Sequence, residues 1–420
     1  MKMARQLVSV QRIDRLMPIE NADFIEKAVL QGWQTIVRKG EFNEGDLCVF
    51  FEIDAVLNPE LDWVQKYASF MADTKWRVKT CKKKQVLSQG LALPLSILPD
   101  EIVPEVDMDV TEILGVEKWE APCALEQGNA KGNFPSHLVS KTDETRVQSA
   151  LKCLEELWGK PYVITVKCDG TSATYLHVDD EFTACSRGQM KKDEEDCVYW
   201  KMARKYDLPN KLAKYKSYAV QGECVGQKIQ QNKMKIDGHD LFVFNIWDTE
   251  ARKYLDFPEF IDTCDELGLQ TVPILEVGDS FKYSFEELLE LADGKYEGTQ
   301  NFREGIVIRP KEEMWSDKLH GRLSFKVISN KFLLNEDKVV EELNPEQLEE
   351  KKKKQAEKDF KRLVKENNWL RGQLNATVRI EVFDGFNDFD VLNEELKLEN
   401  IQFKNQLGID EVDPKLIYGK

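Results

Sequence analysis

Between Tyr162 and Ile328 the chain repeatedly lays down short runs rich in β-branched and aromatic residues: Tyr162–Val166, Thr174–Val178, Phe182–Cys185, Tyr218–Gln221, Leu241–Trp247, Gly305–Arg309 and Arg322–Ile328. Such runs suit a pleated, half-buried surface. The helices between them are too few for regular βαβ winding, so the expected class is α+β with antiparallel sheets. Several runs end on, or carry, a charged residue.

Upstream, from Leu7 to about Leu114, short β-prone stretches alternate with turn signals: Leu47–Ile53 follows Glu44-Gly45-Asp46, and Trp76–Thr80 and Val86–Leu93 come later. This reads as a small all-β domain over residues 1–115. The stretch Pro18 to Leu57, with Asn21-Ala22-Asp23, Gly32-Trp33 and Gly45-Asp46, resembles the OB fold of tRNA-binding modules, whose barrel offers a groove for nucleic acid. Residues 116–140 carry Pro122, Gly128, Gly132 and Pro135 and read as an irregular linker. Next, Val147, Leu151, Leu154 and Trp158 share one helical face, with Gly159 and Pro161 as a stop. A domain over 141–335 follows from these elements. Beyond it, Asn344 and Pro345 open a helix that could reach Leu374, so residues 336–420 are expected to form a helical appendage.

Composition narrows the setting. No run approaches the ~20 apolar residues that a spanning helix needs, and no apolar stretch of signal-peptide type opens the chain, so an intracellular, soluble, cytoplasmic protein with no membrane partner is expected. Nine cysteines without a CxxC pair, and only four histidines, suggest neither a zinc ribbon nor a disulfide frame. With 75 acidic against 59 basic residues the net charge is -16, so any site for a phosphate backbone must be local. Lys82 to Lys84, the stretch from Lys201 to Lys216, and Lys228, Lys233 and Lys235 are candidates; the simpler reading of each, and of the lysine run 351–354, is a solvated face.

The chemistry centres on Lys167-Cys168-Asp169-Gly170 at the end of the Tyr162–Val166 run. In order after it stand Ser186-Arg187-Gly188, Gly222-Glu223, Leu241-Phe242-Val243-Phe244-Asn245, Glu304-Gly305-Ile306-Val307-Ile308-Arg309 and Ser324-Phe325-Lys326-Val327. This ordered set resembles motifs I, Ia, III, IIIa, IV and V of the covalent nucleotidyltransferases, the superfamily of polynucleotide ligases and mRNA capping enzymes. Ser172 occupies the place where DNA ligases and capping enzymes usually have arginine, and the small β domain precedes motif I, which points to RNA ligases. Phe134-Pro135-Ser136-His137, the stretch Lys141 to Gln148, and Phe325 to Leu333 are similar to the nick-sealing RNA ligases with an N-terminal OB domain, often called RNA ligase family 5.

That resemblance implies ATP and Mg²⁺ or Mn²⁺ as cofactors and a three-step reaction: AMP passes from ATP to Lys167, then to a 5′-phosphate end, and a 3′-hydroxyl finally displaces it. A lysine attacks phosphorus only as a neutral amine, and Asp169 and Glu304 would hold a metal ion that favours that form. Glu223 would bind ribose or join the metal shell, Phe244 would stack on adenine, and Arg187 and Arg146 would contact sugar or phosphate. Lys326 would reach the α-phosphate. Phe242 rivals Phe244, since both lie on one strand face, and Arg146 can also be read as a surface arginine. Two positions depart from the family: Val166 stands where many RNA ligases have Glu, and Ile328 where many have a second motif V lysine, for which Lys331, taken as a strand residue, is the candidate substitute. The implied partner is nicked or broken RNA, or an RNA/DNA hybrid duplex, met by a monomer. The alternatives are a GTP-using capping-type guanylyltransferase and a non-catalytic protein that binds RNA ends.

Overall fold

The computed structural model describes residues 6–67, 71, 74–119 and 129–334. The N-terminal region contains an antiparallel sheet of Val8–Arg12, Leu47–Glu52 and Gly90–Pro94, and a second of Arg15–Pro18, Ile25–Leu30 and Trp33–Arg38. Successive strand residues face opposite ways, so Phe51 enters one core with Val8, Val10 and Leu93 while Phe50 enters another with Ile13, Leu30 and Trp33. The hairpin loops Gln31-Gly32 and Lys84-Gln85 have positive φ at both residues, the geometry that matches the twist of the flanking strands.

Residues 116–140, expected to be irregular, contribute strands at both ends of the stretch. Glu117–Lys118 pairs with Ala55–Val56, and Ala130–Asn133 forms the outer strand of the largest sheet. Ala-Lys-Gly-Asn has no strand signature; backbone pairing to Gln189–Lys191 makes it a strand. The expected helix at 147–158 is shorter, a 3-10 turn at Val147–Ala150 and an α-helix at Cys153–Leu157. The helix expected after Asn344 lies outside the described residues.

Two sheets build the central region. One has seven strands in the order Ala130–Asn133, Gln189–Lys191, Glu181–Ser186, Thr171–Val178, Tyr218–Gly226, His239–Asp248 and Lys253–Tyr254. The other has five: Thr145–Arg146, Phe325–Ile328, Gly305–Pro310, Tyr162–Lys167 and Ile274–Gly278. All neighbours run antiparallel except Thr145–Arg146, which is parallel to Phe325–Ile328. Helices Val198–Lys205 and Phe257–Glu266 pack on the larger sheet, and Phe285–Ala292, opened by a Ser284–Glu287 capping box, on the smaller. Between the sheets lies a third cluster of Val166, Cys168, Val225, Val272 and Tyr296, with Phe242 and Phe244 against it.

The N-terminal and central regions belong to one compact unit. Ser149 donates to Glu52 at 2.9 Å, and Gly32 lies so close to the Phe285 ring that a Cβ there would sit 2.9 Å from it.

Candidate active site

Lys167 is the last residue of its strand, paired with Gly305, which places its side chain beside that of Glu304. Lys167 Nζ donates to Glu304 Oε2 at 2.7 Å, and both side chains are largely buried. Two glycines make this approach possible. A Cβ on Gly170 would stand 2.4 Å from the Cys224 carbonyl and 2.8 Å from the Glu223 side chain, and one on Gly305 would meet the Val327 carbonyl at 2.1 Å. Gly170 thus lets the Lys167 turn lie flat on the strand that carries Glu223.

Charge explains the state of the site. Burial disfavours the Lys167 ammonium and is the largest single influence on it, but the carboxylates of Glu304 and Glu223 together outweigh it and hold the group above the ordinary lysine range. Burial also pushes Glu223 up to about 8 and Asp169 up to about 6, with repulsion from Glu304 adding to both. Lys326 moves the other way, down to about 8, because it is buried and faces the positive charges of Lys167 and Arg146. Among the described residues, no three His, Cys, Asp or Glu side chains form a metal cage. Asp169 and Glu304 repel each other, the ammoniums of Lys167 and Lys233 offset that only in part, and two carboxylates of this kind fit a divalent ion that completes its shell with water and phosphate oxygens.

The sequence profile of RNA ligases matches residues 160–328, and that of an OB-fold domain matches residues 7–95. No curated protein matches the chain. Among solved structures it is similar to a mutant Naegleria gruberi RNA ligase with AMP and Mn, at 32% identity and TM-score 0.66 over 79% of this chain and 99% of that one. It is similar to another mutant of that ligase with ATP and Mn, at 32% identity and TM-score 0.66, covering 79% and 98%. The same ligase with PPi matches at 32% identity and TM-score 0.66, covering 80% and 99%. The chain belongs to the RNA ligase family. The α+β class, with an OB fold first and antiparallel sheets after it, agrees with the sequence expectation.

The remaining candidate residues of this ligase fall into an inner and an outer set. Arg146 pairs in register with Lys326, and its guanidinium faces the Trp33 ring of the N-terminal region, 5.9 Å from the centroid. Arg187 lies on the rim, half exposed, and pairs with Asp143 at 2.7 Å. Asp143 also feels Lys326; burial raises its carboxyl, but these cations bring it below the usual range. Phe242 stands opposite Glu223, whereas Phe244 is the extra residue of a bulge, because Gln221 pairs with Asn245 and Gly222 with Val243. Lys331 is not on a strand: the strand ends at Ile328, and Lys331 sits in the short helix Asn330–Leu334 with its ammonium 5.2 Å over the Phe302 ring. Position in the fold therefore aims it at an aromatic face.

Two features escaped the sequence reading. Arg309, counted only as part of motif IV, bridges the sheets: it donates to the Phe244 carbonyl at 2.7 Å and to Glu144 at 2.7 Å. Lys233, grouped with a solvated patch, is buried, lies 4.3 Å over the Phe332 ring, and its charge reaches Asp169. Neither has a local sequence signal, since each acts through a strand or loop distant along the chain.

Proposed function

We propose that this RNA ligase uses ATP and a divalent cation, Mg²⁺ or Mn²⁺, to seal breaks that carry a 3′-hydroxyl and a 5′-phosphate. The observation that carries this reading is the Lys167 ammonium, 2.7 Å from Glu304 and grouped with the titratable side chains of Glu223, Asp169 and Lys326. Lys167 Nζ, once neutral, attacks the α-phosphorus of ATP; the bond to the bridging oxygen breaks and pyrophosphate leaves. The RNA 5′-phosphate then displaces lysine, and the 3′-hydroxyl displaces AMP. A metal ion held by Asp169 and Glu304 would supply positive charge that competes with the proton on Lys167.

Lys326 lies on the strand beside Glu304 and is suited to meeting α-phosphate charge; Arg146, in register with it, adds to that positive wall. Phe244 is assigned to the adenine face, Glu223 to ribose hydroxyls or the metal shell, and Arg187 to a phosphate at the rim. Lys331 is the weakest member of the set, because it is engaged on Phe302. The substrate we favour is a nick in duplex RNA or in an RNA/DNA hybrid, bound by a monomer whose OB-fold region, within residues 1–115, takes the flanking duplex. A reducing cytoplasm suits the eight free cysteines of the described residues, seven of them buried. No helix among the described residues is long and apolar enough to cross a membrane.

The test is incubation with Mg²⁺ and α-labelled ATP or GTP beside a Lys167→Ala variant, read on denaturing gels. Covalent label from ATP that vanishes in the variant is expected, followed by sealing of a nicked RNA duplex. Label from GTP alone, or from neither nucleotide, would overturn the reading.

A further inference from the structure

Tyr296 was not among the residues that the sequence singled out, and it touches more of the site's backbone than any of them. Its hydroxyl donates to the Lys167 carbonyl at 3.1 Å and accepts from the amides of Asp169 at 3.0 Å and Glu304 at 3.1 Å. A phenol has one proton to donate and two lone pairs, so these three bonds use its full capacity. The side chain is 3% exposed, within the cluster between the two sheets.

We propose that Tyr296 is a positioning residue: its single oxygen fixes the spacing between the strand end that carries Lys167 and Asp169 and the strand start that carries Glu304. These are the nucleophile and the two metal-binding carboxylates of the proposed function, on which this inference rests. No other described side chain hydrogen-bonds to the backbone of all three. The loop that supplies Tyr296 is itself braced. Tyr296 N–H donates to the Asn301 carbonyl at 3.0 Å, and the Asn301 amide donates to the Lys233 carbonyl at 2.7 Å. At the loop's start, Asp293 accepts from the Ser329 hydroxyl at 2.7 Å, just past the strand of Lys326, while Ser329 N–H donates to the Glu304 carbonyl at 2.9 Å. One loop therefore reaches the ends of all three strands that carry the reacting groups. Burial keeps the phenol protonated far above neutral pH, so the donor bond to Lys167 persists throughout the working range.

Removing the oxygen leaves two amides without their acceptor and frees two chain segments to drift apart. Misplacement of reacting groups by a fraction of an ångström to an ångström costs on the order of tenfold to a hundredfold in rate. The experiment compares full-length wild type and Tyr296→Phe. It measures lysyl-adenylate formation from ATP at saturating Mn²⁺, calorimetric binding of Mn²⁺ alone, and the thermal midpoint. The expected result is a rate lower by about tenfold or more together with weaker Mn²⁺ binding. Rate and Mn²⁺ affinity equal to wild type, whether or not the midpoint falls, would reduce Tyr296 to a structural role and overturn the inference. Should the variant fail to fold, amide exchange in the wild type decides: slow exchange at Asp169 and Glu304 supports the bonds, and fast exchange overturns them. A wild type that forms no adenylate would instead sink the proposed function.

Discussion

Arg309→Met removes the centre of a buried charge network. Arg309 donates to Glu144 and to the Phe244 carbonyl, each at 2.7 Å, and to the Ser324 hydroxyl at 3.0 Å. Arg322 sits beside it, donating to Glu313 and, at 2.8 Å, to Asn245, with its guanidinium 4.0 Å over the Tyr254 ring. Two arginines thus balance Glu144 and Glu313 in a region where the Arg309 and Glu144 side chains are 10% and 17% exposed. Deleting one cation leaves a carboxylate buried without its share of compensation, a loss of about 3–5 kcal/mol. For a domain of this size that corresponds to a midpoint lower by about 6–20 °C. Glu144→Gln together with Arg309→Met restores neutrality, so the pair should be coupled by about 2 kcal/mol and the double variant should recover part of the loss. Urea unfolding followed by tryptophan fluorescence measures all four corners of the cycle. A single variant that costs less than about 1 kcal/mol, or a double variant no better than additive, would refute the account of Arg309 as a desolvated bridge. Because the carbonyl that Arg309 holds is that of Phe244, the surviving single variant should also show a raised KM for ATP.

Three further outcomes follow from the same site. Glu223 is held protonated up to about pH 8, whereas its ordinary value is 4.5. The folded protein therefore keeps a proton that the unfolded chain releases; its contribution to stability is complete below pH 4.5 and disappears as pH rises through about 8. Metal-free thermal melts should accordingly fall across that window, and less steeply in Glu223→Gln; parallel profiles would count against the assignment. Phe244→Ala should raise the KM for ATP by about tenfold and Phe242→Ala by much less, the reverse order giving the stacking role to Phe242. Gly170→Ala, whose Cβ would sit 2.4 Å from the Cys224 carbonyl, should cost about 1–3 kcal/mol in denaturant titrations and abolish covalent labelling; an unperturbed variant would show that the turn can relax.

How far the sequence carried the reading depended on where each signal lay. Lys167, Asp169, Glu223, Glu304 and Lys326 could be named because each lies in a short motif on or directly beside a strand, and the central sheets bring those motifs together in space. The antiparallel sheets were legible for the same reason, as strand periodicity is local. Tyr296 was invisible because a lone tyrosine after a helix resembles any core aromatic; only the fold reveals that its oxygen meets three backbone groups. The bulge at Phe244 was equally hidden, since it arises from register between two strands and not from composition. Lys331 was expected as a strand residue standing in for the missing second motif V lysine, although Ser329-Asn330, a turn-prone pair, already separates it from the run that ends at Ile328. In the structure Asp293 accepts from its backbone N–H at 3.2 Å and from Ser329, and the chain turns into a helix there. The strand at 130–133 went unread because its residues have low strand propensity and are ordered by a neighbour.

The position of Trp33 has a consequence for how such a ligase can be assembled. This ring belongs to the N-terminal barrel, yet it faces Arg146, which is in register with Lys326. The barrel is therefore part of the wall behind Arg146 and Lys326 and not a detachable module. Exchange of one such module for another by recombination would succeed only where the incoming barrel brings an aromatic face to the same place, so the two halves are bound to change together.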